Sequence, residues 1–333
     1  MVPTEPPAGS WFPAARSEAV CVTPLRVVIF GTPLVLVRGS EGAPWVFEDR
    51  CPHRGAALSR GRLTAAGLAC PYHGWSYGAD GRCTGIPGCP DPRVTAGIRL
   101  RTYAAQERDG LVWITSNEGK PLPERIRALD PSGRRFLWQS RWQAPALDIQ
   151  ENFLDALHTH TVHPGLVRSG KSRREVRVTL TATGDGFQVD YEGQETQSGL
   201  LYKLFESRRT RERAHFSGLS VAQIEYGYAT GRAIWITLCC TPESDRSTHL
   251  FGMLHTEGHW APAWLIRLLV WPLVRRVARQ DQVIVEHQYE QRSIFPTRRD
   301  LVMPFDIVRP HLERAWEGRA DGTVPAAGLI LEL

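Results

Sequence analysis

The 333-residue chain is 42% hydrophobic and 23% charged, an ordinary globular composition that excludes a disordered chain, a collagen-like repeat and a small disulfide scaffold. Its formal charge is +5, from 40 basic and 35 acidic residues, and all the basic residues but Lys120, Lys171 and Lys203 are arginine. They are scattered, with short clusters at residues 208–213 and 275–279, so no nucleic-acid surface is expected.

Residues 1–10 carry Pro3, Pro6 and Pro7 and no apolar run, so no signal peptide is expected. The greasiest stretch, residues 264–277, is interrupted by Arg267, Pro272, Arg275 and Arg276. It falls short of the ~18 uncharged residues of a spanning helix. Seven cysteines cannot all pair. Reduced thiols or metal ligands in a cytoplasmic protein are the expectation.

In chain order, residues 20–114 read as short strands. Val27, Ile29, Leu34, Leu36, Trp45, Phe47 and the run 111–115 are apolar and β-prone, and glycines such as Gly31, Gly55, Gly74 and Gly81 punctuate them. This predicts an all-β unit over residues 1–118. Residues 119–135, rich in Pro and Gly, read as a linker. A strand follows at 136–142, then a helical rhythm over 147–163 that Pro164 and Gly165 stop. Further strands are expected at 176–183, 187–191, 219–228, 234–240 and 250–256, and a long helix over 264–294 kinked at Pro272. The second unit, residues 119–333, is therefore α+β, an antiparallel sheet with a long C-terminal helix.

Two Cys–His pairs carry the first chemical signal. Cys51-Pro52-His53-Arg54-Gly55 precedes Cys70-Pro71-Tyr72-His73-Gly74-Trp75, with 16 residues between His53 and Cys70. Two thiolates and two imidazoles suit a tetrahedral zinc, or a two-iron, two-sulfur centre with two Cys on one iron and two His on the other. Both arms, including their flanking residues, resemble the Rieske proteins. Cys21, Cys83, Cys89, Cys239 and Cys240 read as small buried hydrophobes. Arg54, Arg60 and Arg62 could form a basic rim for an acidic electron donor.

The second signal is residues 151–164, dense in metal-competent groups. Asp155 and His158, three apart, share a helix face, so the carboxylate can reach a ring nitrogen of His158. His158 and His163 are offset by about 140°, so both meet one metal only if the helix distorts or ends between them. Pro164 gives a reason for it to end. His160 projects elsewhere. A two-His, one-carboxylate iron site needs a third ligand. Asp281 lies within an apolar stripe that includes Leu273, Val277, Ile284 and Gln288, with no basic residue three or four places on. A salt bridge to a distant Arg is the alternative, and Glu286 is the second carboxylate candidate.

Together the two constellations make the whole chain resemble the α-subunits of Rieske non-haem iron oxygenases. The pattern Asn152-Xaa2-Asp155-Xaa2-His158-Xaa4-His163 is similar to the iron-ligand helix of that family, and residues 281–286 to the place of its third ligand. The short chain looks more like the monooxygenase and demethylase branch than the ring-dihydroxylating one. The resemblance implies an all-β Rieske domain over 1–118 holding a [2Fe-2S] cluster on Cys51, His53, Cys70 and His73. It implies a helix-grip catalytic domain over 119–333 with Fe(II) on His158, His163 and Asp281. It further implies a head-to-tail homotrimer in which Asp155 links the two centres, with Asn152 beside it. O2 would be the co-substrate, with electrons from a separate NAD(P)H-dependent flavin reductase or ferredoxin; the chain has no Gly-Xaa-Gly-Xaa2-Gly fingerprint of its own. The expected reaction is hydroxylation or oxidative demethylation of an apolar or aromatic small molecule. Residues 194–228 and 260–264 are expected to supply pocket walls, with Leu200, Leu201, Leu204, Phe205, Phe216 and Trp235 as candidates. Two other classes stay open: a Rieske electron carrier, and a helix-grip ligand-binding protein with a structural zinc.

Overall fold

A computed structural model of the chain describes residues 7, 9–39, 42–89, 91–116, 122, 134–169, 173–193, 195–258, 262–319 and 327–333. The chain divides into two units, Met1–Leu122 and Pro123–Leu333. Of the linker expected at 119–135, Leu122 is described, and Arg134 and Arg135 already belong to a strand; the rest lies outside the described residues.

The first unit is built from short strands: β1 (Phe12–Arg16), β2 (Leu25–Ile29), β3 (Thr32–Arg38), β4 (Pro44–Glu48), β5 (Arg62–Thr64), β6 (Gly67–Ala69), β7 (Ser76–Tyr77), β8 (Cys83–Gly85), β9 (Ala104–Arg108) and β10 (Leu111–Thr115), with a four-residue helix α1 (Pro92–Thr95). They form three antiparallel sheets, ordered β1-β10-β9, β2-β3-β4 and β5-β6-β7-β8. Two-residue turns set the register of two hairpins. Phe30-Gly31 joins β2 to β3 and Asp109-Gly110 joins β9 to β10, all four residues with positive φ, from 49° to 78°. Two consecutive left-handed residues match the right-handed twist of the flanking strands. Val35, Phe47, Leu58, Leu68 and Tyr77 are fully buried around Cys51 and Cys70, so the loops that carry the cysteines stand on the unit's core.

The second unit is one eight-stranded antiparallel sheet, ordered β11-β17-β16-β15-β14-β13-β12-β18. In chain order its elements are β11 (Arg134–Trp142), α2 (Ala146–Leu154), α3 (Thr159–Val162), β12 (Glu175–Thr183), β13 (Gly186–Glu192), α4 (Leu200–Phe205), β14 (Arg209–Ser217), β15 (Val221–Tyr228), β16 (Ala233–Pro242), β17 (Thr248–Glu257), α5 (Ala263–Leu269), α6 (Trp271–Ile294), α7 (Val308–Trp316) and β18 (Ala327–Glu332). Helices pack on one face of the sheet. Leu312 and Val308 of α7 meet Val178, Val189 and Phe216. Val285 of α6 packs with Trp142, Ile149 and Leu250, and Ile266 of α5 with Phe136 and Leu254. This is the α+β, helix-on-antiparallel-sheet arrangement expected of the second unit.

Three expectations need correction. The helix expected over 147–163 breaks: Asp155 is extended (φ −87°, ψ 128°) and its Oδ1 accepts the Leu157 N–H at 3.0 Å. That Asx turn competes with the helix and ends it. The helix expected over 264–294 is two, α5 and α6, parted at Val270, with Pro272 in the first turn of α6 where its missing N–H costs nothing. β14 was not expected, because its first half, Arg209 to Arg213, is a run of charged residues and Thr210 with no apolar alternation.

Candidate metal centres

In the first unit, two loops are closed in the same way. Gly55 N–H donates to the Cys51 carbonyl at 2.9 Å, and Gly74 N–H to the Cys70 carbonyl at 3.1 Å. Both glycines are left-handed (φ +74° and +70°), which favours glycine there. The loops bring Cys51 and Cys70 close to one another, and burial, with Cys51 adding to it, pushes the Cys70 thiol up. They also bring the His53 and His73 rings to 4.7 Å, with His53 stacked on Trp75 at 4.4 Å and Tyr72 against His73 at 3.8 Å. The buried Nδ1 of His53 has no hydrogen-bond partner. Burial, then His73 and Arg54, push the His53 imidazole below its ordinary pKa, leaving a neutral nitrogen free to ligate.

Cysteines pair with cysteines and histidines with histidines, which is the donor set of a [2Fe-2S] centre. A single tetrahedral zinc would hold all four donors roughly 3.4–3.8 Å apart. Among the described residues, the group of three donor atoms within 4.8 Å of one another is His158, His163 and Asp281, and no such group forms at these four. The donors fit the cluster and not the zinc. Tyr77 Oη lies 3.2 Å from Cys51 Sγ. Arg54, Arg60 and Arg62 are all exposed. Cys83, Cys239 and Cys240 are buried as expected, but Cys21 is exposed and Cys89 only half-buried.

In the second unit, the break after α2 places His158 at the start of α3 and His163 at its end. Both face Asp281 of α6, whose Oδ1 is 3.3 Å from His158 Nε2 and 2.9 Å from His163 Nε2. His163 Nε2 and Asp281 Oδ1 are buried yet make no hydrogen bond. Close lone-pair atoms that do not bond one another are a mark of a metal site. Donors ~2.1 Å from one ion and at near-right angles would lie about 3 Å apart, as these do. Burial raises the Asp281 carboxyl, but the two imidazoles outweigh it and hold the group below the ordinary carboxylate range. Gln280 Oε1 lies 3.0 Å from His163 Nδ1. Accepting that N–H, it leaves Nε2 as the free lone pair. Sequence reasoning missed Gln280, because a Gln beside an Asp in a polar helix carries no signal.

Other expected residues fall differently. Glu286 accepts the Gln143 N–H at 2.9 Å and a Gln282 amide N–H at 2.7 Å, away from the histidines. Ile284 is 42% exposed and Gln288 is exposed, so the stripe ends at Asp281 and Val285. His160 lines a separate recess with Arg168 and Arg174. Asp155 does not bond His158 within the chain: His158 Nδ1 is buried without a partner, and burial raises the Asp155 carboxyl above its ordinary value.

His158, His163 and Asp281 open onto a cavity of about 420 Å³ that Asn152 and Asp155 also line. Its apolar walls include Trp138, Trp142, Ile236, Leu254 and Val270. Of the residues expected there, Leu201 and Phe205 line it. Leu200 and Leu204 are exposed, and Phe216 lies in the core beneath α7. Trp235 alternates with Ile234 and Ile236 and points to the other face of the sheet. Trp260 and Gln194 lie outside the described residues, and Trp264 is 67% exposed.

The chain matches the family models for the Rieske [2Fe-2S] domain over residues 10–104 and for the vanillate O-demethylase oxygenase C-terminal domain over residues 142–318. A similar protein is the 3-chlorobenzoate-3,4-dioxygenase oxygenase subunit of Comamonas testosteroni, 33% identical over 161 residues, 46% of this chain and 37% of that one. Another is the dicamba O-demethylase oxygenase component of Stenotrophomonas maltophilia, 29% identical over 301 residues, 85% of this chain and 88% of that one. The crystal structure of dicamba monooxygenase bound to dicamba superposes with a TM-score of 0.80 at 22% identity, over 96% of this chain and 98% of that one, a likeness of fold. Several of the curated relatives are matched over half their length or less. No helix among the described residues is long and apolar enough to cross a membrane. With the second domain model alone spanning more than half of the chain, the protein belongs to the Rieske non-haem iron oxygenases with a catalytic domain of the vanillate O-demethylase type.

Proposed function

We propose that the chain is the terminal oxygenase of a Rieske system, hydroxylating or oxidatively demethylating an apolar or aromatic small molecule. The observation that carries this reading is the convergence of His158, His163 and Asp281 on an apolar cavity, with the facing His163 Nε2 and Asp281 Oδ1 buried without hydrogen bonds. Cys51, Cys70, His53 and His73 would hold a [2Fe-2S] cluster, and His158, His163 and Asp281 a ferrous ion. When bound, these groups supply single electrons and an open coordination site for O2.

The chain's own residues do the rest. Gln280 fixes the tautomer of His163. Trp138, Trp142 and Leu254 exclude water from the reacting carbon. Asp155 sits beside the iron-ligand segment with one oxygen held by the Leu157 N–H. In a head-to-tail homotrimer it would relay between His158 and a cluster-ligand histidine of the neighbouring subunit. His158 Nδ1, buried without a partner, is the atom it would meet. With a methyl ether as substrate, the ether, O2, two electrons and two protons give the phenol, formaldehyde and water. A separate NAD(P)H-dependent reductase or ferredoxin would supply the electrons, docking near exposed Arg54, Arg60 and Arg62. We place the system in the cytoplasm, in keeping with seven free cysteines.

The test is turnover under ¹⁸O2 with a reductase, NADH and a panel of aryl methyl ethers and alkylarenes. One labelled oxygen in the product, with matched NADH use, is expected for hydroxylation. Formaldehyde in step with NADH is expected for demethylation. Reduction of the cluster with no substrate oxidised across the panel would favour an electron carrier.

A further inference from the structure

One wall of the cavity is charged, and the sequence pattern alone would not assemble it. The register of β14 against β15 slips between Arg209 and Arg211. Strict alternation would put Arg209 and Glu212 on opposite faces; the bulge puts both towards the cavity. Arg209 donates from Nε and Nη2 to the Glu206 carboxylate at 2.6 and 2.9 Å, and from Nη1 to Glu212 at 2.8 Å. Its guanidinium lies 3.9 Å over the Tyr226 ring. The three charged side chains are only 8–10% exposed. Arg168 lines the same wall, is buried, donates from Nε to Thr159 Oγ1 at 2.7 Å, and lies within the field of Glu212. Two cations therefore meet two carboxylates, and the bidentate fork of Arg209 is already committed to protein.

We propose that this balanced wall selects uncharged, largely apolar molecules with one hydrogen-bond-donating group, such as a phenol, alcohol or amide, and rejects carboxylates of the same shape. The proposal rests on the oxygenase reading and names its substrate class. A carboxylate entering here would add an unbalanced charge to a largely apolar cavity. It could reach Arg209 only by breaking a buried ion pair and leaving a glutamate unpaired. A neutral donor adds a hydrogen bond and no charge, because each glutamate carboxylate has about four acceptor positions.

Calorimetric titration of the oxygen-free holoprotein at neutral pH with 6-methoxy-2-naphthamide and 6-methoxy-2-naphthoate tests this. The two differ in charge and little in shape. The amide is expected to bind at least about tenfold more tightly, a difference of roughly 1.4 kcal/mol. Glu212→Gln leaves the wall with one excess cation and should narrow or reverse that preference while the cluster spectrum stays unchanged. If the variant does not fold, the wild-type pair decides alone. Naphthoate binding as tight as the amide, or no binding of the amide, overturns the proposal. Tight amide binding without turnover would count against the oxygenase reading and leave the selectivity standing.

Discussion

Removing one oxygen atom beside the first centre should move its reduction potential by a foreseeable amount. The Tyr77 hydroxyl lies 3.2 Å from Cys51 Sγ, and the ring is fully buried. Burial, and next Cys51 itself, push the phenol above its ordinary pKa, so it stays a proton donor at working pH. A hydrogen bond to a ligand sulfur favours the reduced cluster, which carries the extra negative charge. Tyr77→Phe keeps the ring and its packing and removes that bond. A hydrogen bond worth about 0.5–1.5 kcal/mol corresponds to roughly 20–65 mV for one electron, so the potential should fall by that much. Spectroelectrochemical titration of wild type and variant reads it directly. A potential unchanged within roughly 10 mV, or raised, would refute the reasoning.

Gln280→Leu should free the His163 ring and weaken iron binding about 10- to 100-fold while the cluster spectrum is retained, as a ferrous titration would show. Gly252→Ala places a methyl against the Trp138 indole, which lies across that glycine from the neighbouring strand. It should cost about 1–3 kcal/mol in urea unfolding, and full stability would mean the indole sits elsewhere. Burial lowers His249 to about 4, so below its unfolded value of 6.5 the unfolded chain takes up the proton first and stability drops as pH falls between those values. About 2 kcal/mol should be lost by pH 5, and His249→Gln should remove most of that slope; an equal slope in the variant would contradict it.

What was legible in the sequence was local. Each Cys–His arm packs two metal-competent side chains and a glycine into five residues, so Cys51, His53, Cys70 and His73 could be picked out as candidate ligands without a fold. Asp281 stood out for a different reason: a carboxylate on an apolar helix face needs a partner or a metal, and two imidazoles face it at 3.3 and 2.9 Å. The helix break was not legible, because Asp155 ends α2 through its side-chain bond to Leu157, a choice that patterning over 147–163 does not reveal. Nor was the charged wall. Residues 208–213 show in the sequence only as an arginine cluster within a stretch expected to wall the pocket, and only the bulge in β14 and the pairing of Arg209 with two glutamates turn Arg209 and Glu212 inward. Trp235 failed as a pocket candidate because a strand hides alternate residues from each other, and composition alone does not say which face is which.

The central claim is that one chain holds two separate metal centres. Iron and acid-labile sulfide measured on the anaerobically purified protein and its Asp281→Ala variant test it most directly. The account predicts about three irons and two sulfides per chain in the wild type, and about two of each in the variant. Equal iron and sulfide in the wild type, or a variant that keeps its third iron, would contradict it.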